Sequence, residues 1–171
     1  MFTAASAPPP HAPLSPPPHV RRAREEDAGA LAGLSRPFVR SGALRARPVS
    51  LYATRAGDFL VAQAPGGRLA GCVGLRVYPS GPGERPGAAG VLYNFCVAAH
   101  SQGRGVGAAL LRAALAGARA RSLDALFTAT TGQGGLFHRY GFAPSAAPSA
   151  PRPWTESLDP RRNARVLVRR L

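Results

Sequence analysis

The sequence predicts a single-domain α/β protein built on a mixed sheet. Short apolar runs of strand length alternate with helix-forming runs along 171 residues, an order typical of helices packed on a sheet. This length favours one domain, and a hydrophobic content of 45% is sufficient for a buried core. A long disordered polymer is therefore excluded.

The first half of the chain consists of a tail followed by short strands and helices. Residues 1–19 hold seven prolines, which prevent a regular helix or a central strand, so we predict a disordered tail before a domain at 20–171. That domain begins with a strand at Val20, a helix at 28–34 that Arg36-Pro37 ends, a short helix at 49–55, and a hairpin of strands at 58–63 and 68–78.

The second half continues the alternation. Leucines 110, 111 and 115 recur at helical spacing. The predicted elements are a strand at 91–98, a helix at 108–121, a strand at 126–130, a short helix at 136–139 and a last strand at 166–168.

The charge balance is strongly basic, since 22 basic residues against 8 acidic ones give a net charge of +14. Every basic residue is arginine and lysine is absent, which indicates the codon bias of a GC-rich genome as much as a choice of chemistry. The arginines are scattered and lack the interleaved aromatic residues of a single-strand binding platform. We therefore predict no specific nucleic-acid partner, although attraction to a phosphorylated cofactor is expected.

Two further features bear on the compartment. The apolar runs are shorter than the roughly 20 residues that span a bilayer, so we predict no membrane partner and a cytoplasmic location. Cys72 and Cys96 cannot make a disulfide framework and have no metal-ligand spacing around them. No metal is predicted, and both cysteines are interpreted as small buried side chains.

A glycine-rich turn provides the strongest functional signal. Gly103, Gly105 and Gly107 stand between a predicted strand and a predicted helix. The free amides at such a helix start bind anions, and glycines let the backbone approach the anion closely. A P-loop is excluded because no Gly-Lys-Ser/Thr is present, and a Rossmann site is disfavoured because no acidic residue ends a strand about 20 residues later.

Two motifs carry a resemblance to a known superfamily. Gln102-x-x-Gly105-x-Gly107, after a strand that contains Val97, resembles the acetyl-CoA pyrophosphate loop of the GCN5-related N-acetyltransferases (GNAT). Phe137-x-x-x-Gly141-Phe142 resembles the end of that superfamily's last motif. The resemblance covers residues 20–171 and implies the GNAT acyl-CoA N-acyltransferase fold, acetyl-CoA as co-substrate, and a homodimer as one option.

A closer resemblance is to the acetyltransferase domain of N-acetylglutamate synthases, which begin arginine synthesis. Residues 40–47 are similar to that family's substrate loop, 127–142 to its Thr-Thr strand end and following helix, and 158–167 to its closing basic strand. The implied acceptor is a small amino acid, with L-glutamate first. The amino-acid kinase domain of the long forms is not in this sequence, so the resemblance implies a short form or a relative with another substrate.

The resemblance also implies an acetyl-CoA site. Backbone amides at Cys96, Val97 and Ala98 would hold the pantetheine arm and polarise the thioester carbonyl. The other cofactor-binding residues belong to the loop, the helix start and one later aromatic position: Gln102, Gly103, Arg104, Gly105, Val106, Gly107, Ala108 and Phe137.

The candidate substrate-binding residues are arginines from the two resembling basic segments. Guanidinium forks match the two carboxylates of glutamate. The first candidates are Arg47 from the early loop and Arg162 from the closing segment, with Arg45 and Arg161 as their alternatives.

Two departures from the superfamily pattern concern proton transfer. Phe137 stands where many relatives carry the tyrosine that protonates the thiolate, so Thr131 or Thr130 is the alternative acid. Val91 stands where many relatives carry a glutamate base. Either a water held by Asn94 or Tyr93, or binding of the acceptor as its free amine, would replace that base.

Three alternatives stay open at this point. The acceptor is another small amine or a peptide N-terminus, or the domain is a non-catalytic acetyl-CoA-binding module, which the valine at position 91 favours. A nucleic-acid binder driven by the net charge would show binding that collapses with salt.

Overall fold

The structure of the protein is a computed structural model that describes residues 16–80, 87–145 and 150–171. The predicted tail lies outside the described residues up to position 15. Residues 16–18 have no regular structure, and His19 already belongs to the first strand.

Seven strands and five α-helices lie within the described ranges. The strands are β1 (His19–Arg22), β2 (Phe59–Gln63), β3 (Leu69–Pro79), β4 (Ala88–Val97), β5 (Ala125–Thr130), β6 (Ala143–Pro144) and β7 (Arg165–Arg170). The helices are α1 (Ala28–Arg40), α2 (Val49–Thr54), α3 (Val106–Ala120), α4 (Gly135–Arg139) and α5 (Arg152–Thr155).

The strands form one mixed sheet, as the sequence predicts. Their order is β1-β2-β3-β4-β5-β7-β6. Every neighbouring pair is antiparallel except β4 and β5, which run parallel from Ala89 opposite Ala125 to Leu92 opposite Thr128. The one parallel pair lies near the middle of the sheet, and α3 provides the crossover that a parallel connection requires.

Helices cover both faces of the sheet. On one face α3 buries Leu110, Leu111 and Leu115 against the strands. On the other face Leu31 of α1 and Tyr52 of α2 pack on Phe59, together with smaller side chains. A separate apolar group joins β4, β5 and α5 through Val91, Phe127 and Trp154.

The predicted end of the first helix is wrong. Helix α1 continues through Pro37 to Arg40, and the Ser41 amide donates to the Pro37 carbonyl at 3.1 Å. A proline lacks one N–H, so the helix gives up a single hydrogen bond. Because Leu31 is fully buried and Phe38 packs against the same cluster, burial of this face outweighs that loss.

Other boundaries differ by a few residues. The strand predicted from residue 91 begins at Ala88, and the helix predicted from residue 108 begins at Val106. The short elements β6 and α5 were not predicted, since two and four residues carry no periodic pattern.

None of the helices in the described part of the chain has the length and apolar character needed to span a membrane.

Leu110→Ala is expected to lower the free energy of unfolding by about 2–5 kcal/mol, because Leu110 is fully buried between α3 and the sheet and its truncation leaves a cavity. Urea unfolding followed by circular dichroism measures the change. The matched control is Val77→Ala on β3, where the valine is 38% exposed, with an expected cost of about 1 kcal/mol or less. Equal costs at the two sites would contradict this account of the core.

Candidate active site

The central strands part at the edge of the site. Pairing between β4 and β5 ends at Leu92 opposite Thr128, although both strands continue beyond it. The Thr128 hydroxyl donates to the Leu92 carbonyl at 3.3 Å and so satisfies the last acceptor of the ladder. Beyond this point β4 has an open edge toward β5, which leaves backbone groups available to a ligand.

A bulge lies in β4 at the start of this open edge. Cys72 pairs with Cys96 but Gly74 pairs with Tyr93, so Asn94 and Phe95 together oppose one residue of β3. Asn94 has φ 50°, in the left-handed region that asparagine adopts more readily than most residues. The bulge redirects Tyr93 and Asn94 into the cleft that lies on this side of the sheet.

The backbone of the open edge offers one of the three predicted amides. The Ala98 amide donates to the Ala70 carbonyl at 2.8 Å, and Cys96 pairs across to β3. By alternation along the strand, the Val97 amide faces the open side. The Val97 carbonyl accepts from the Gln102 side chain at 3.1 Å, which places Gln102 as a brace of the loop.

The glycine-rich turn forms an amide cradle, defined here as the amides of residues 103–108. Among the residues that the structure describes, none of these six N–H groups has a hydrogen-bond acceptor. Gly103 and Gly105 have φ values of 72° and 79°, which L side chains adopt only with strain. Gly107 serves packing instead, because a Cβ there would lie 3.1 Å from Leu136. The cradle has the chemistry of an anion site.

Phe137 lies beside the cradle without a polar function. Its ring is buried and packs against Phe95 and Phe142 at centroid distances of 5.5 and 5.4 Å. Tyr140, the nearest phenol along the chain, receives a hydrogen bond from Arg112 at 3.0 Å. Arg112 is exposed on α3, so the Tyr140 hydroxyl is held on the outer side of that helix.

A cleft of about 370 Å³ lies beside the open edge and is lined by four arginines. Arg45 donates to the Ser157 carbonyl at 3.0 Å, and Arg162 donates to the Gly42 and Ala43 carbonyls at 3.0 and 2.6 Å. Hydrogen bonds therefore link the loop at 42–47 to the segment at 157–162 across the cleft. Arg161 is exposed and lies outside the lining, so of the two closing candidates Arg162 is the one that the structure brings to the cleft.

Arg47 is a half-buried member of the predicted substrate residues. It donates to the Asn94 side-chain carbonyl at 3.1 Å and to the Arg45 carbonyl at 3.2 Å. Burial lowers the pKa of its guanidinium, which stays a cation at neutral pH because the ordinary value is so high.

Asn94 is bonded on both sides of its amide. Its carbonyl accepts from Arg47 and from the Tyr52 hydroxyl at 3.3 Å, and its NH₂ donates to the Ser35 hydroxyl at 2.9 Å and to the Cys72 sulfur at 3.6 Å. The side chain thereby ties α1, α2 and β3 to β4. These protein partners give Asn94 a structural task that the sequence prediction did not include.

Tyr93 is held at its hydroxyl and across its ring. The hydroxyl donates to Asp58 at 3.1 Å. The guanidinium carbons of Arg47 and Arg76 lie 5.2 and 5.5 Å from the ring centroid, within the range of cation–π attraction. Burial, and after it the Asp58 carboxylate, raise the pKa of Tyr93 well above its usual range, so this phenol is neutral at physiological pH.

The remaining predicted catalytic positions lie at the end of β5. Thr131 is exposed beyond the strand, and the Thr130 hydroxyl accepts from the Gly132 amide at 3.1 Å. Val91 is buried and pairs with Phe127.

In the described part of the chain no group of three or more His, Cys, Asp or Glu side chains could hold a metal ion.

Arg76 is the cleft residue that the sequence did not indicate. It stands two positions after Gly74 on β3 and so shares the cleft face of the sheet with it. Its Nε is buried, lies 3.9 Å from Asp58 Oδ2, and makes no hydrogen bond to any described residue. The strand alternation indicates which face Arg76 occupies, but the cleft over that face depends on the loop at 43–48.

Comparisons with known proteins agree with this geometry. The family model described as an acetyltransferase (GNAT) domain matches residues 55–144. A solved N-acetylglutamate synthase from Neisseria gonorrhoeae, complexed with coenzyme A and N-acetyl-glutamate, is 26% identical with a TM-score of 0.80. The match covers 90% of this chain and 35% of that one, so the chain spans about a third of that protein. A search of curated proteins gives no match.

Two further solved structures match over nearly their whole length. A GCN5-related N-acetyltransferase from Kribbella flavida is 25% identical with a TM-score of 0.66, and the match covers 90% of this chain and 98% of that one. A Mycobacterium tuberculosis protein in complex with CoA is 22% identical with a TM-score of 0.73, covering 90% and 99%. The second likeness concerns the fold alone.

Asn94→Gly is expected to lower the free energy of unfolding by about 1–3 kcal/mol, because the buried Ser35 and Tyr52 hydroxyls lose a partner. Glycine keeps the left-handed backbone, so strain does not contribute. Ser122→Gly is the control, since Ser122 has φ 53° and is exposed; it is expected to be neutral or slightly stabilising. Equal melting curves for the two variants would refute the network's contribution.

Proposed function

The chain belongs to the acetyltransferase (GNAT) family, and on that premise we propose that it transfers an acetyl group from acetyl-CoA to the amino group of a small amino acid. L-Glutamate is the first candidate, which would place the reaction at the entry to arginine synthesis. The observation that carries the proposal is the arginine-lined cleft that meets the open edge of β4.

The donor side of the site is built from backbone. The amide cradle binds the pyrophosphate of acetyl-CoA, since six free N–H groups at a helix start favour an anion. The parted strands admit the pantetheine arm, and the Val97 amide polarises the thioester carbonyl by donating to its oxygen. Acetyl-CoA supplies the acetyl group as an activated thioester.

The acceptor side is built from guanidinium groups. Arg47, Arg76 and Arg162 line one cleft from the early loop, from β3 and from the closing segment. A free amino acid with a second carboxylate presents two anions to these groups, and planar guanidinium forks bind such anions in pairs of hydrogen bonds. A neutral or basic acceptor would place no negative charge beside these cations and would make fewer charge-assisted hydrogen bonds to them.

The arginines also contribute to the loss of the ammonium proton. A like charge nearby disfavours a protonated amine, so the four guanidinium groups lower the pKa of an ammonium bound among them. When the acceptor's carboxylates are bound by arginines, they no longer stabilise its ammonium. Binding therefore increases the fraction of free amine, and this offsets the valine at the position where many relatives carry a glutamate.

A second candidate is a non-catalytic acetyl-CoA-binding module. Val91 and Phe137 are both buried apolar residues at positions where the superfamily often carries an acid or a phenol. In such a module the amide cradle would still bind acetyl-CoA, and the arginines of the cleft would have no required role.

Acetyl transfer is tested by release of the CoA thiol from acetyl-CoA against the twenty amino acids near pH 8. We expect turnover with L-glutamate, weaker turnover with L-aspartate and little with monocarboxylic amino acids, because only dicarboxylates occupy two guanidinium groups. Acetyl-CoA binding by calorimetry without turnover on any acceptor would favour the non-catalytic module. Turnover confined to a peptide or another amine would replace the acceptor but keep the enzyme.

Gly105→Glu is expected to weaken acetyl-CoA binding at least tenfold more than Gly105→Gln, as measured by calorimetry. Both substitutions impose the same left-handed strain of about 1–2 kcal/mol, and no heavy atom lies within 4 Å of a Cβ at this position. Only glutamate adds a negative charge beside the pyrophosphate. Equal affinities for the two variants would remove the cradle from the binding site.

A further inference from the structure

We infer that Tyr93 determines the acceptor specificity of this cleft, because its ring sets the spacing of the Arg47 and Arg76 guanidinium groups that receive the acceptor's two carboxylates. The inference rests on the proposed function, in which a dicarboxylic amino acid is the acceptor. It adds a specificity-determining role to a residue that the sequence suggested only as a water ligand.

The ring of Tyr93 is fixed by its contacts with β3, Phe59 and Asp58. Gly74 faces Tyr93 across the β3–β4 pair, and a Cβ at Gly74 would lie 2.6 Å from the ring carbons Cε1 and Cζ. Only glycine lets the ring lie over β3 at this point. Phe59 then contacts the ring edge-on at a centroid distance of 5.2 Å, and Asp58 accepts from the hydroxyl.

Asp58 anchors the far end of the ring rather than the guanidinium groups directly. Its Oδ2 lies 3.1 Å from the Tyr93 hydroxyl, but 3.9 Å from both Arg55 Nη1 and Arg76 Nε. The Asp58 carboxylate therefore fixes the phenol by a hydrogen bond and attracts Arg55 and Arg76 only at longer range. The ring is held by contacts at its hydroxyl, at its edge and under its carbons.

Two guanidinium groups from different elements meet on this fixed ring. Arg47 comes from the loop before α2 and Arg76 from β3, and both lie within 5.5 Å of the ring centroid. Cation–π attraction holds each group at the ring without using an N–H donor, so the donors that are not bonded to the protein can bind an anion. In the described part of the chain, Arg47 uses only Nη1 in hydrogen bonds, and Arg76 Nε has no acceptor.

The distance between the Arg47 and Arg76 guanidinium groups determines which separation of the acceptor's two carboxylates fits the cleft. The carboxyl carbons of L-glutamate are four bonds apart, about 5 Å when extended, and those of L-aspartate are one bond closer. A rigid ring that holds both guanidinium groups favours one of these lengths, because a carboxylate misplaced by one bond loses its paired hydrogen bonds. A flexible side chain in place of the ring would let Arg47 and Arg76 move and would weaken the discrimination.

The test compares Tyr93→Leu with Tyr93→Phe, which keeps the ring and loses only the hydroxyl. For each variant, kcat and KM are measured for L-glutamate, L-aspartate and acetyl-CoA. For Tyr93→Leu we expect the KM for L-glutamate to rise about tenfold and the glutamate-to-aspartate ratio of kcat/KM to fall about tenfold. The KM for acetyl-CoA stays within twofold, since the amide cradle lies elsewhere, and Tyr93→Phe keeps most of the preference.

Several outcomes overturn the inference. An unchanged glutamate-to-aspartate ratio in Tyr93→Leu removes the ring from specificity, and an equal loss in Tyr93→Phe assigns the effect to the hydroxyl and Asp58. If the leucine variant does not fold by circular dichroism, Tyr93→Met fills more of the space without a ring and carries the same expectation. A wild-type chain without turnover on dicarboxylic amino acids refutes the proposed acceptor, and the spacing role with it, whereas wild-type turnover with unchanged variants refutes the spacing role alone.

Discussion

The end of pairing between β4 and β5 is the constraint on which the site depends. If the ladder continued past Leu92 and Thr128, every backbone group of the central strands would be satisfied within the sheet. Because it stops there, β4 has a free edge inside the molecule rather than at its rim. The open edge and the cleft then lie side by side, and segments that are distant in the sequence line one cavity.

The bulge at Asn94 makes this opening stable. A bulged strand is locally weak, since one residue lacks a regular partner, and here the Asn94 side chain replaces the missing contacts. It bonds Ser35 of α1, Tyr52 of α2 and Arg47 of the early loop. The same bonds that secure the bulge also hold Arg47 at the cleft, so the stability of the sheet and the position of a cleft arginine depend on one amide.

The sequence was sufficient for the parts of the structure that local patterns determine. The amide cradle follows from glycines before a helix, and the order of strands and helices follows from hydrophobic periodicity. The helix end at Pro37 was predicted wrongly because tertiary burial outweighed a local preference. Arg76 was missed, and Arg161 stayed an alternative to Arg162, for a common reason: among 22 arginines, only the three-dimensional path of the chain decides which ones line the cleft.

The tyrosine at position 93 is consistent with an acceptor site made of arginines. A carboxylate at the same place would stand beside Arg47 and Arg76 and pair with them, so a substrate carboxylate would have to displace it. An aromatic face attracts both guanidinium groups without forming an ion pair with them. In the proposed reaction the cleft would thereby keep its positive charge for the acceptor, and that charge would also disfavour the acceptor's ammonium form. A carboxylate base on β4 and arginines that bind the acceptor's carboxylates would work against each other, and in this chain the cleft is lined by arginines.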